Sequence, residues 1–336
     1  MKTRIKYCGY KKMDVLKEYI ETKFGIEETK FLEVLKMSPG AEGYLLGSLG
    51  ELLFKKYAES KGYEALRIKE KPEGGYNAKS DDARGDFYIR KKGSTEDKWL
   101  VVECKGVKSN SEKRSGLTKL SSCLTILSKH SIDRANHVKS IFESGKKAYE
   151  RSKKEWQQKN EGTFPEFRWI VTNPGSGVPN LTGVWKTKDE IKKWLESFES
   201  SKFHEDAFWN LTAPIRLLQT HMPSTRIDTE TNIKSTGPLV TEFNILCIDL
   251  FLKTGKHELV FVNSLQLNHQ AKSPNHLQQN YTIDILTAKE GYKRHILLKP
   301  WYDDLDKCIE ETNPLYRKLD ESQLDKRKIN NKNTTD

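Results

Sequence analysis

Apolar residues recur along this chain at two spacings, and the change from one to the other marks out its elements. Val15, Leu16, Tyr19 and Ile20, then Phe31, Leu32, Val34 and Leu35, recur at helical spacing, which predicts two helices between Met13 and Leu35. Ser38-Pro39-Gly40 interrupts the pattern. A further helix is expected over Gly47 to Ala58, where Leu49, Leu52 and Leu53 form an apolar stripe. Glu51 stands next to that stripe, placed either to reach a sheet edge or to stay solvated. Lys61-Gly62-Tyr63 closes the helix with a glycine. Tyr63 to Ile68 then reads as a strand, and Lys69 to Arg84 as a polar loop containing Pro72, Gly74 and Gly75.

The most informative stretch is Gly85-Asp86-Phe87-Tyr88-Ile89-Arg90, a polar turn from Lys91 to Lys98, and Trp99-Leu100-Val101-Val102-Glu103-Cys104-Lys105-Gly106. Gly93, Ser94 and Asp97 suit a chain reversal, so the two runs are expected to pair antiparallel. In the second run Trp99, Val101, Glu103 and Lys105 share one face, and Leu100, Val102 and Cys104 the other. A turn centred near Ser94 or Thr95 brings Asp86 opposite or next to Glu103, although a slip of one residue would reverse every face. Two carboxylates and an ammonium then meet at the end of an apolar strand, where charge is costly unless it is paired. Asp81 and Asp82 are rivals to Asp86, but they lie inside the loop, whereas Asp86 opens the strand.

Downstream, Leu117 to Lys154 reads as a helical tract. Its later part carries Lys146, Lys147, Arg151, Lys153 and Lys154 with Tyr149 interleaved, either a solvated face or a surface that tracks phosphates. Phe167 to Asn173 is expected to be a buried strand stopped by Pro174, and Lys186 to Ser201 a helix with Ile191, Trp194, Leu195 and Phe198 on one side. Phe203 to Gly237 looks like a linker or an irregular excursion. Beyond it, Phe243 to Phe251, Glu258 to Val262, Tyr281 to Leu286 and His295 to Leu298 suggest a second, mostly β unit. The Asn-rich end, with Lys326-Arg327-Lys328, is expected to be disordered.

Composition narrows the classes. With 35% hydrophobic and 31% charged residues, and no apolar run approaching the roughly 18 residues of a membrane span, a soluble cytoplasmic protein is expected, with no membrane partner. Five scattered cysteines without a C-x-x-C pair argue against a disulfide framework or structural zinc. Lysine and arginine exceed aspartate and glutamate by 58 to 47, and a formal charge of +11 favours a polyanionic partner. The absence of a G-x-x-x-x-G-K-[ST] loop argues against use of ATP.

The pattern of Gly85-Asp86, a hairpin, and Glu103-Cys104-Lys105 closing an apolar strand resembles the PD-(D/E)XK nuclease superfamily, which includes most type II restriction endonucleases. Gly85 stands where the family often has proline. Glu51 matches the glutamate that often faces the site from the first core helix. The resemblance implies an α/β fold: a restriction-endonuclease-like core, with a mixed central sheet flanked by helices, and an appended mostly β C-terminal region. It also implies the order helix, three strands, helix, strand. The divisions expected are a helical segment over 1–40, the core over 41–185, an α+β region over 186–325 serving DNA recognition, and a tail over 326–336.

Further implied is a Mg²⁺-dependent endonuclease cutting double-stranded DNA at a specific sequence as a homodimer, with Mn²⁺ able to substitute. Asp86, Glu103 and the Cys104 backbone carbonyl would bind the metal, Lys105 would act on the attacking water and the phosphate, and Glu51 would hold a water or second ion. Lys108, Lys113 and Arg114 lie close enough in sequence to meet phosphates. In the second half, Asn275, His276, Gln278 and Gln279 belong to a polar loop suited to reading base edges. His269 and His276 also invite comparison with ββα-metal nucleases, but the metal partners are not evident. A repair or mobile-element nuclease with the same core and a non-catalytic DNA-binding module are the alternatives.

Overall fold

A computed structural model describes residues 10–69, 84–106, 120–169, 182–196, 215–217, 225–251, 256–278, 281–283, 285–286, 296–297 and 299–326. The chain divides into two compact units, Met1–Ser48 and Leu49–Asp336. The first holds α1 (Tyr10–Phe24), α2 (Glu28–Met37) and the start of α3 (Pro39–Ser60). Both helices expected before Leu35 are there, and Gly25 at φ 67° supplies the left-handed turn between them. The unit boundary falls inside α3, a few residues after the expected division at 40.

The second unit is mixed α/β. After α3 come β1 (Tyr63–Arg67), β2 (Phe87–Lys91), β3 (Leu100–Gly106), α4 (Leu120–His130), α5 (Arg134–Gln157) and α6 (Lys188–Glu196). There follow β4 (Ile215–Leu217), β5 (Arg226–Ile227), β6 (Lys234–Ser235), β7 (Ile245–Asp249) and β8 (Leu259–Asn263). Last are β9 (His269–Gln270), β10 (Ser273–Leu277), β11 (Tyr281–Ile283), β12 (Ile285–Leu286), β13 (Ile296–Leu297) and α7 (Leu305–Thr312). No helix among the described residues is long and apolar enough to cross a membrane.

A five-stranded mixed sheet, ordered β1-β2-β3-β7-β8, organises this unit. β3 pairs antiparallel with β2 and parallel with β7. Parallel neighbours need a long crossover, which here runs through α4, α5 and α6. Each central strand buries both faces, which explains the unbroken apolar runs Leu-Val-Val in β3 and Ile-Leu-Cys-Ile in β7. One face carries Tyr88, Trp99, Val101, Leu246, Ile248, Val260 and Val262 beneath Trp301. The other carries Phe87, Leu100, Val102, Cys104, Cys247 and Phe261, covered by Phe54 and Ala58 of α3 and by Leu305 and Cys308 of α7. Phe54 is fully buried between Phe87 and Phe261, with ring centroids 5.6 and 6.4 Å away.

Three expectations are corrected. Phe167, Arg168 and Trp169 form no strand, and Ile170 to Asn173 lie outside the described residues. Phe167 instead stacks on Tyr149 of α5 at 5.3 Å and meets Phe142 at 6.0 Å. The place beside β3 is taken by β7, whose residues are buried throughout, as a slot inside the sheet requires, whereas Arg168 is exposed. The division at 185/186 therefore does not separate two sheets, because β7 and β8 complete the sheet that β1 to β3 begin. Nor is 203–237 only a linker or an irregular excursion, for among its described residues β4 pairs with β11, and β5 with β6. All but the first residue of the expected tail over 326–336 lies outside the described residues.

Candidate active site where two strands part

The β2–β3 ladder sets the geometry. Phe87, Tyr88 and Ile89 stand opposite Val102, Val101 and Leu100, so the turn is centred between Ser94 and Thr95. One residue before the ladder begins, the Asp86 N–H donates to the Val102 carbonyl at 2.8 Å, so Asp86 and Phe87 both sit opposite Val102, with Glu103 the next residue along β3. Beyond that point β3 continues alone on this side, while on the other it stays paired with β7 as far as Gly106 and Asp249. The Cys104 N–H would lose its strand partner, but the Asp86 Oδ2 accepts it at 2.6 Å. A carboxylate thus stands in for a backbone carbonyl at the place where the strands diverge.

Gly85 makes the approach possible. A Cβ there would lie 2.5 Å from Val101 Cγ1 and 2.8 Å from the Val102 carbonyl oxygen, the acceptor that fixes Asp86. The absence of a side chain, and not a positive φ, is what this position demands.

Glu103 and Lys105 point to one face, two residues apart, and form an ion pair. Glu103 is the more deeply set, with 14% of its side chain exposed against 35% for Lys105. The Asp86 carboxyl is pushed well above its ordinary range, first by burial, then by the negative charges of Glu103 and Glu51, against the opposing pull of Lys105 and the Cys104 N–H. Burial pulls the Lys105 ammonium down, but Glu103 and Asp86 outweigh it and hold it above its usual value. With both acids ionised the site would carry one negative charge in excess, and the raised Asp86 carboxyl answers that excess by holding its proton. Cys104, on the opposite face beside Cys247, has its thiol pushed up by burial and by that neighbour, and both cysteines are free.

Glu51 does not join this group directly. Its Oε2 lies 2.8 Å from an Arg67 terminal nitrogen, at the end of β1 on the α3 side of the sheet. Only its charge reaches Asp86. Among the described residues no group of three or more His, Cys, Asp or Glu gathers as a metal centre. What Asp86, Glu103 and the Cys104 carbonyl offer is an all-oxygen set with surplus negative charge, the donor chemistry that suits a hard divalent cation.

Of the other residues singled out in the sequence, Asp81, Asp82, Lys108, Lys113, Arg114 and Gln279 lie outside the described residues. Asn275 donates to Asp228 and Glu230 at 3.1 and 2.9 Å. His276 is fully buried in β10, its Nδ1 2.6 Å from Ser273 Oγ, and burial pushes it below its ordinary value. His269 is pulled down to about 4, mainly by burial, with Nδ1 2.6 Å from the Pro274 carbonyl. Gln278 follows β10, half-buried.

Sequence reading passed over a second charged group, Arg84, Arg226 and Glu242. Glu242 is 1% exposed, with Arg226 Nε 2.6 and 2.8 Å from its two oxygens and an Arg84 terminal nitrogen 3.5 Å away. A glutamate abutting the apolar run that begins at Phe243 was the available signal. Compared with known proteins, the chain matches no family model, no curated protein and no solved structure.

Two outcomes follow for stability. Gly85→Ala is expected to destabilise the fold by about 1–3 kcal/mol in urea unfolding, because its methyl meets backbone that cannot yield. Asp86→Asn keeps an acceptor for the Cys104 N–H and removes a buried charge. The folded state holds the Asp86 proton more tightly than the unfolded chain, so wild-type stability from this group is present below the unfolded carboxylate range near pH 4 and is lost as pH rises through the elevated folded value. Asp86→Asn should therefore be as stable as wild type or more so at pH 7, on the order of 1 kcal/mol, with the gain gone below about pH 4. Urea midpoints at pH 3.5 and 7 check the sign.

Proposed function

We propose that the protein is a divalent-cation-dependent endonuclease that hydrolyses phosphodiester bonds in double-stranded DNA, with a restriction-endonuclease-like core. The observation that carries this reading is the meeting of Asp86, Glu103 and Lys105 where β2 and β3 part. The element order supports it: α3, then β1 to β3, then α4 and α5, then β7 parallel to β3. That is the helix, three strands, helix, strand order of the PD-(D/E)XK resemblance, with residues 245–249 in the role expected of 167–173.

Asp86, Glu103 and the Cys104 carbonyl would hold Mg²⁺, or Mn²⁺ in its place, and the bound ion would polarise the scissile phosphate and acidify an attacking water. The ammonium of Lys105, held in its charged form by the two acids, is suited to orient water and to stabilise charge growing on the phosphate. It is poorly suited to take a proton at neutral pH. Asp86 fixes the strand end through the Cys104 N–H while presenting its other oxygen. Glu51 acts at a distance in this reading, its charge felt by Asp86 and its carboxylate engaged with Arg67. Because the described residues of each chain hold one such site, cutting both strands implies two copies acting together. The exposed Lys146, Lys147, Arg151 and Lys154 of α5 add a surface for phosphates.

Incubation of the chain with supercoiled plasmid, linear duplex, single strand and RNA, each with Mg²⁺ and with chelator, tests the reading. Cleavage of duplex DNA with Mg²⁺ alone is expected, as discrete fragments for a restriction enzyme and a smear for a repair enzyme. Glu103→Ala and Lys105→Ala should lose cutting by a factor of a hundred or more, on the order of the 10²–10⁴ carried by such groups, while still shifting DNA in a gel. Mg²⁺ should also raise the wild-type melting temperature more than that of Glu103→Ala. Undiminished cutting by either variant rules the assignment out.

A further inference from the structure

Two residues before Asp86 the chain carries a guanidinium that the reaction as described does not use. The Arg84 N–H donates to the Glu242 carbonyl at 3.0 Å. Gly85, next in sequence, lies against Val101 Cγ1 and the Val102 carbonyl. Val101 shares its sheet face with Glu103 and Lys105, so the segment leading into Asp86 crosses β3 on the face that bears the acids.

Charge matching at Glu242 is unequal. Its two oxygens are taken up by Arg226 Nε at hydrogen-bond distance. Arg84 stands further off at 3.5 Å, too long for a strong hydrogen bond. Among the described residues no other acidic partner of Arg84 is found. One carboxylate thus faces two guanidinium groups, both largely buried, with 18% of the Arg84 side chain and 14% of the Arg226 side chain exposed. Arg84 is thus the guanidinium of this group that Glu242 holds less closely, which leaves its donors open to another anion. Glu103 is among the charges that push Glu242 up, so this cluster borders the acid–acid–lysine group. A planar guanidinium with unused donors is the side chain best shaped for a phosphate.

We propose that Arg84 binds a backbone phosphate of the nucleic acid in this same site, held in place by the buried Glu242–Arg226 pair. Arg226 acts through Glu242 as a positioning residue. The inference rests on the nuclease reading and deepens it: Arg84 meets the substrate's charge next to the acids that carry out its hydrolysis.

The test uses the full chain, R84Q and R84K, with a fluorescent duplex bound in chelator over a range of salt, and with plasmid cleavage in Mg²⁺. R84Q should bind several-fold more weakly, with a slope of log affinity against log salt smaller by about 1. Its KM should rise while kcat changes less, and its melting temperature should stay near wild type because Arg226 still neutralises Glu242. R84K should restore the salt slope and only part of the affinity, since a point charge replaces a fork. R84Q that matches wild type in slope and KM overturns this proposal and leaves the nuclease reading intact. If R84Q does not fold, R84K decides: a KM raised several-fold supports the proposal and an unchanged KM overturns it. Wild type that binds duplex without cutting removes the nuclease reading, and the R84Q slope still decides for Arg84. Wild type that neither binds nor cuts overturns both.

Discussion

One hydrogen bond sets the terms for the rest of the site, the one the Cys104 N–H gives to the Asp86 carboxylate. It occurs where β3 outlasts β2, so a side chain has to do what a neighbouring backbone does elsewhere in the ladder. That substitution fixes Asp86 against Glu103, and it requires the residue before Asp86 to have no Cβ. The energetic tension of the site follows as well. Two carboxylates are held near each other by the backbone hydrogen bonds that tie Asp86 to Val102 and Cys104, which are indifferent to their repulsion, and Lys105 pairs with Glu103.

The sheet around that point supplies the rigidity. β3 is held by β2 along its first half and by β7 along its second, the two ladders overlapping at Val102, and both of its faces are covered by side chains from distant parts of the chain. α3 covers one face through Phe54 and Ala58, while Trp301 and Leu277 cover the other. Glu103 and Lys105 therefore project from a strand whose alternation cannot slip without moving a whole core face. The same support brings Arg84 and Glu242 to the site, because the chain entering β2 and the chain entering β7 meet across β3.

Much of this was legible from the sequence where the information is local. The hairpin, its turn centre, the shared face of Glu103 and Lys105, the helix bearing Glu51 and the strands near residues 245 and 259 all follow from alternation, helical spacing and turn chemistry. What failed was choice among similar runs. Phe167 to Trp169 looks as strand-like as Ile245 to Asp249, and only the competition for one slot beside β3 separates them. A run with an arginine inside it loses that competition to one that is apolar on both faces. Glu51 was correctly placed on its helix, but its partner Arg67 comes from β1, a pairing no spacing reveals. Arg84, Glu242 and Arg226 are likewise joined only in three dimensions.

The parallel pairing of β3 with β7 has a consequence for how the protein is made. A ribosome that has just released residue 106 has already produced Asp86, Glu103 and Lys105, yet the neighbour that β3 needs begins at Ile245. Until that later segment emerges, the strand has one open edge and no partner for its central apolar stretch. Asp86, Glu103 and Lys105 are thus made about 140 residues before the strand that completes their sheet. A nascent chain must therefore carry these charges beside an unfinished sheet until β7 and β8 arrive to close it.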